Sequence, residues 1–245
     1  MAFSQLATGI SVIASGLKGY QAISLSDITL TTASVIEAGS AVEIGNAFFL
    51  AGTTVTPNAS SWTAITTATT AFLALTPSGT AGSQVVTAAW QADEPVWVTS
   101  KCGYYASAAS VTRIVALAYK AGTASYRNKT ILPNVQGKSI EINIPIDDWN
   151  MDTTINKNVA HGLTNTKIKS CDVIIYQDDG ANVKPFVMTY YTAGSWYVGG
   201  NVNVNTSNFA MVMSSAATGI SALFDSASYA STAVNRGYII LTYDF

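Results

Sequence analysis

Ile140-Glu141-Ile142-Asn143-Ile144-Pro145-Ile146 alternates apolar and polar residues at period two. That is the pattern of a strand with one buried face. The chain closes on Asn235-Arg236-Gly237-Tyr238-Ile239-Ile240-Leu241-Thr242-Tyr243-Asp244-Phe245, which reads as a turn followed by a strand. Between them, Val173–Tyr176, Phe186–Tyr191, Trp196–Val198, Val202–Val204 and Phe209–Met213 read as further strands, broken by Gly, Asn and Asp. Gln177-Asp178-Asp179-Gly180 is the clearest turn among them, because Asp-Gly supplies the positive φ that a tight hairpin requires. Strands at such short spacing predict a sandwich or barrel. Residues 140–245 are therefore expected to form a β-sandwich or barrel-like module.

Upstream, Asn134-Val135-Gln136-Gly137-Lys138 follows Pro133, holds a Gly and lacks apolar periodicity. A linker is expected over 134–139. Residues 21–133 read as a second β module. Its candidate strands include Ala41–Ile44, Ala47–Leu50, Trp62–Ile65, Ala71–Leu75 and Val111–Tyr119, with a turn at Pro57-Asn58. Val111–Tyr119 is apolar enough to be buried on both faces. The expected fold class is all-β: two modules in tandem behind an N-terminal arm over residues 1–20. In that arm Phe3, Leu6, Ile10, Ile13 and Leu17 recur at steps of three and four. This is the seam of a short amphipathic helix; the other reading is an extended arm, since Gly9 and Gly16 each weaken a helix. Either form is a natural point of attachment to a larger body.

Composition restricts the function. Hydrophobic residues make up 49% of the chain and charged residues only 11%, with a net charge of −2. An average globular domain carries about 25% charge. No basic field is present to hold a nucleic-acid backbone. No apolar run reaches the roughly 18 residues of a membrane-spanning helix, so neither nucleic acid nor membrane insertion is expected. A surface with so few charges favours coverage by other copies of the chain.

The reactive inventory is short. His161 is the only histidine, and its setting, Ala160-His161-Gly162-Leu163, reads as a strand-to-turn corner with a ring nitrogen bonded to backbone. Cys102 and Cys171 lack metal-ligand spacing and read as two buried small hydrophobes; a pairing between them is not demanded. The acidic neighbours Asp93/Glu94, Asp147/Asp148 and Asp178/Asp179 do not by themselves make a glycosidase pair, because strand neighbours point to opposite faces. No catalytic residue, cofactor or metal site is expected. Tyr190-Tyr191-Thr192-Ala193-Gly194-Ser195-Trp196-Tyr197 concentrates aromatics around a turn. Tyr191, Trp196 and Tyr197, with Asp179 nearby in sequence, are the candidate ligand or host contacts, since exposed aromatics stack on sugars and anchor interfaces; the other reading is that they cover the hairpin. Arg236 offers a rigid fork to a carboxylate, with Asp225 as the expected partner.

The chain resembles bacteriophage virion proteins of the tail-fibre and head-fibre class. The resemblance is carried by Trp90-x-x-Asp93-x-Pro95-x-Trp97, Lys101-x-Gly103-Tyr104-Tyr105, Arg113 and Lys120. It continues with Trp149-x-Met151, Val159-Ala160-His161-Gly162-Leu163 and Ile168, then Phe224-Asp225-Ser226 and Asn235-Arg236-Gly237-Tyr238-Ile239. It covers most of residues 84–245 and implies β-rich trimeric modules that decorate a particle or touch a host surface, without shared chemistry. The expectation is a non-enzymatic virion subunit, a fibre or decoration protein of head or tail, made in the bacterial cytoplasm. Its expected partners are itself, other virion proteins through the arm, and a host surface glycan or protein. A secreted carbohydrate-binding module is the alternative, and a glycan-cleaving tailspike ranks below both.

Overall fold

The structure is a computed structural model that describes residues 3–5, 18–26, 35–120, 129–186, 189–192, 195–213, 224 and 226–245. The protein is all-β, with 48% strand against 8% helix. It divides into two compact units. One comprises Met1–Ile140 with Asp244–Phe245, the other Glu141–Tyr243.

The first unit contains β1 (Phe3–Gln5), β2 (Gln21–Ala22), β3 (Ala41–Ile44), β4 (Ala47–Leu50), α1 (Ala59–Ala64), β5 (Thr69–Ser78), β6 (Val85–Gln91), β7 (Val96–Val98), β8 (Gly103–Tyr105), β9 (Arg113–Lys120) and β10 (Lys129–Ile131). The strands form one sheet in the order β2-β3-β4-β1-β6-β5-β9-β8-β7, and β10 also pairs with β9. Every residue of β9 is buried, as is β5 through Leu75. Their apolar residues are nearly continuous because both faces are covered. Leu73, Leu75 and Val115 join a core with Ile36, Phe49, Trp62 and Trp90. Phe72 and its cross-strand partner Leu117 are buried as well, and Phe245 meets Phe72 and Tyr104 edge-on. Each such side chain contributes about 1.5–3 kcal/mol on burial.

A buried Arg113 joins β9 to the β2–β3 hairpin. Its guanidinium donates to the carbonyls of Glu43 and Gly19, the latter at 2.7 Å, and lies 3.6 Å from the Glu43 carboxylate. That carboxylate also accepts from the backbone N–H of Gly19 at 3.0 Å and of Asn46 at 2.5 Å. A buried ion pair is tolerable when most of its polar atoms are bonded in this way; here Arg113 Nε alone of the guanidinium nitrogens has no partner among the described residues.

Two expectations for this half are corrected. Trp62–Ala64 is not strand but the end of α1. Asn58 Oδ1 accepts from Ser60 N at 3.0 Å and so caps the helix; a side-chain cap satisfies an otherwise orphaned N–H. Phe3, in the arm read as either a helix or an extended segment, is not helical: it opens β1, which pairs with both β4 and β6 inside the sheet. The remaining arm positions, Leu6, Ile10, Ile13 and Leu17, lie outside the described residues.

The second unit contains β11 (Ser139–Pro145) from Glu141 on, β12 (Asn156–Ala160), β13 (Ile168–Tyr176), β14 (Val183–Pro185), β15 (Thr189–Thr192), β16 (Ser195–Val198), β17 (Gly200–Val204), β18 (Asn208–Met213) and β19 (Gly237–Asp244) up to Tyr243. The pairings give a four-stranded sheet, β11-β19-β13-β14, a three-stranded sheet, β12-β18-β17, and the hairpin β15–β16. The period-two reading of Ile140–Ile146 is visible in β11, where Ile142 and Ile144 are buried, Glu141 exposed and Asn143 half-buried; the strand expected at the chain's end is β19, with Ile239, Leu241 and Tyr243 buried. Val159, Phe209, Met211 and Met213 supply the buried face of the three-stranded sheet.

Candidate functional site

The turn between β13 and β14, the segment 226–236 and the start of β19 form one hydrogen-bonded cluster in the second unit. Arg236 is its centre and is fully buried. Nε donates to Trp149 O at 2.9 Å, Nη1 to Tyr176 O at 3.0 Å and Nη2 to Ser231 O at 2.8 Å. The Tyr229 ring lies 5.7 Å from the guanidinium carbon. Asp178 Oδ1 lies 2.6 Å from Nη2, while its Oδ2 accepts from Ser231 N at 3.0 Å. A planar five-donor fork reaches three carbonyls and a carboxylate at once, which an ammonium cannot do.

The sequence reading assigned this fork to Asp225. Asp225 lies outside the described residues, and the described carboxylate partner is Asp178. In the sequence Asp178 reads as part of a turn, and the turn is what carries its carboxylate to the fork. The turn itself is as expected. Gly180 has φ +68°, its N–H donates to Gln177 O at 2.9 Å, and Gln177 N–H donates to Asn182 O at 3.1 Å. Asp179, a candidate ligand contact, is exposed, and its Oδ1 accepts from Ala181 N at 2.9 Å. It stabilises the turn in the way Asx side chains do.

The other candidates fall on the β15–β16 hairpin. Its register sets Tyr191 opposite Trp196 and Tyr190 opposite Tyr197. The hairpin is therefore formed, with the four aromatics at directly paired positions. Asp179 belongs to a different turn, between β13 and β14.

His161 is completely buried. Its Nδ1 accepts from Leu163 N at 3.0 Å, so Nε2 carries the hydrogen and donates to Asn205 O at 3.0 Å. Both ring nitrogens thus hold backbone, one more than the sequence reading assigned. Gly162, with φ +62°, makes the corner.

Of the acidic neighbours, Asp147 sits at positive φ, and its carboxyl is raised above the ordinary range, first by burial, with Asp148 adding and Lys157 opposing. Its neighbour Asp148 faces Lys157 at 3.9 Å. Neither cysteine is in a disulfide, and both are half-buried rather than core. Burial, reinforced by Asp172, pushes the Cys171 thiol up to about 11. Only the thiolate is nucleophilic, and a raised value leaves Cys171 protonated throughout the neutral range. Alkylation of Cys171 by iodoacetamide at pH 8, followed by mass spectrometry, is expected to run about 100-fold slower in the folded chain than in the urea-unfolded chain. Equal rates would show that the thiol is not shielded.

The chain matches no protein-family model, no curated protein and no solved structure.

Proposed function

We propose that the chain is a structural subunit of a tailed-bacteriophage particle, a fibre or decoration protein of head or tail that works as a symmetric trimer and contains no catalytic centre. The observation that carries the reading is an all-β body whose polar clusters are spent on structure. Arg113 and Arg236 hold carbonyls and carboxylates within their own units, and His161 holds backbone at both nitrogens. With only 11% charged residues, association between copies covers surface that charge does not protect. Exposed Val85, Val96, Val111 and Val135 in the first unit and Val183 in the second are in keeping with such contacts. Attachment to the particle and contact with a host surface then gain strength from the number of copies held together.

Light scattering on the purified full chain, joined to imaging of particles carrying a tagged copy, tests this reading. A mass of three times the 25.7 kDa chain, with the tag on the particle, is the expected result. A monodisperse monomer absent from particles would overturn it.

A further inference from the structure

The three-stranded sheet β12-β18-β17 has one face packed with Val159, Phe209 and Met211 and another turned outward. The register sets out the outward face in two rows. Asn156 lies opposite Val212, which lies opposite Asn201; Asn158 lies opposite Ala210, which lies opposite Asn203. All four asparagines are exposed, Val212 is 42% exposed and Ala210 half-buried. Strand spacing and rise put the four amides at the corners of a rectangle about 10 Å by about 7 Å. Its floor is apolar and none of its six side chains carries a charge.

Two features set this face apart from an ordinary solvated one. Asparagine is among the residues that strands disfavour, and a Thr or Val would fit the pleat better. Yet asparagine occupies two of the three outward positions of β12, the third being Ala160 opposite Asn208, and both of β17. The amides are also not engaged in holding the sheet: none of these four side chains makes a hydrogen bond to the described residues. Asn205, by contrast, accepts from Ser207 N and Asn208 N and closes the β17–β18 turn. An amide offers two donors and an acceptor of two lone pairs. Four of them around an aliphatic floor match a molecule with an apolar C–H face and a rim of hydroxyls that both donate and accept. Such a molecule is a pyranose. A sulfated or carboxylated sugar finds no cation here to offset the loss of its hydration.

We propose that this face is a binding platform for an uncharged glycan, with Asn156, Asn158, Asn201 and Asn203 reading hydroxyls and Val212 and Ala210 supporting the sugar ring. It deepens the attachment role proposed above and rests on it for its setting. A shallow open site binds one sugar weakly, and repetition over the copies of an oligomer raises the total.

The test is an array of neutral, sialylated and sulfated oligosaccharides probed with the full chain and with N156T/N158T/N201T/N203T. Threonine suits a strand, so the variant is expected to melt at the same temperature or higher. Neutral glycans should bind, about equally from ~0.05 to ~0.5 M salt, and the variant should lose at least about tenfold in affinity, the loss of one to a few hydrogen bonds. Absence of neutral-glycan binding, undiminished binding by the folded variant, or preference for charged glycans overturns the proposal. So does a variant whose only change is a lower mass in light scattering, which would make the face a self-contact. A trimer that ignores neutral glycans removes this site and leaves the assembly reading standing. A monomer that binds them through these asparagines does the reverse.

Discussion

Gly237→Ala is expected to abolish cooperative folding of residues 141–243. Gly237 sits at φ +149°, and a Cβ built there lies 1.9 Å from the carbonyl oxygen of Ile174 and 2.9 Å from its carbon. Those are backbone atoms of the neighbouring strand, where Ile175 is the register partner of Gly237. They cannot rotate away as a side chain would. The strained φ costs about 1–3 kcal/mol, and separating β13 from β19 adds to it, placing the total above about 4 kcal/mol. Gly180→Ala is the control. Gly180 also has positive φ, +68°, but nothing lies within 4 Å of its Cβ position, so only about 1 kcal/mol is expected. Hydrogen exchange over 141–243 separates the two variants. Native-like protection in Gly237→Ala would mean that the strands accept the methyl group.

Arg236→Ala carries the second large effect. It leaves the carbonyls of Trp149, Tyr176 and Ser231 without their guanidinium donor. It also strands Asp178, whose side chain is only 26% exposed. Removing one partner of a buried pair costs about 3–5 kcal/mol. Total stability is typically 5–15 kcal/mol, so the loss moves the urea midpoint of this unit substantially. Arg236→Lys should recover only part of it, because an ammonium on one stem cannot span four acceptors. A midpoint equal to that of the parent chain would show that the fork is dispensable.

The glycine and arginine were both legible in the sequence, but to different depths. Asn235-Arg236-Gly237 before an apolar run announces a turn, and glycine announces backbone freedom there. That the freedom is needed because Ile174 O occupies the place a Cβ would take is a fact about β13, a strand far away in the chain, and it depends on the pairing register. Arg236 advertised a carboxylate partner by its chemistry. Which carboxylate depended on how β13 and its turn return to β19, and nothing local distinguishes Asp178 from any other acid. The same holds for Arg113, whose partners Gly19, Gln21 and Glu43 are spread over the expected arm and the start of the first β module, where nothing local marks them as its partners.

The misreadings have local causes. Trp62-Thr63-Ala64-Ile65 is short, apolar and β-branched, so periodicity over four residues cannot separate one helical turn from a strand; the Asn58 cap decides it. Phe3 fits a three-four seam, but its residues 3–5 are held by β4 and β6, and a strand's partners override so weak a helical preference. The asparagine platform was hidden for a further reason. Asn156-Lys157-Asn158 carries no strand signal and Asn203 falls within the candidate strand Val202–Val204, so nothing joins the two stretches until β18 pairs with both and draws their asparagines onto one face.

By itself the sequence determined what depends on neighbours along the chain: the all-β class, the two-residue alternation of β11, the strand at the chain's end, the double-sided burial of β9, the Asp-Gly turn and the low share of charge. Side-chain branching, period and turn chemistry act over a few residues, so they survive without a structure. The tertiary structure alone decided who meets whom: Asp178 with Arg236, Ile174 O with Gly237, and four asparagines around Val212 and Ala210. Those depend on register between distant strands, where one residue of slip turns every side chain to the other face.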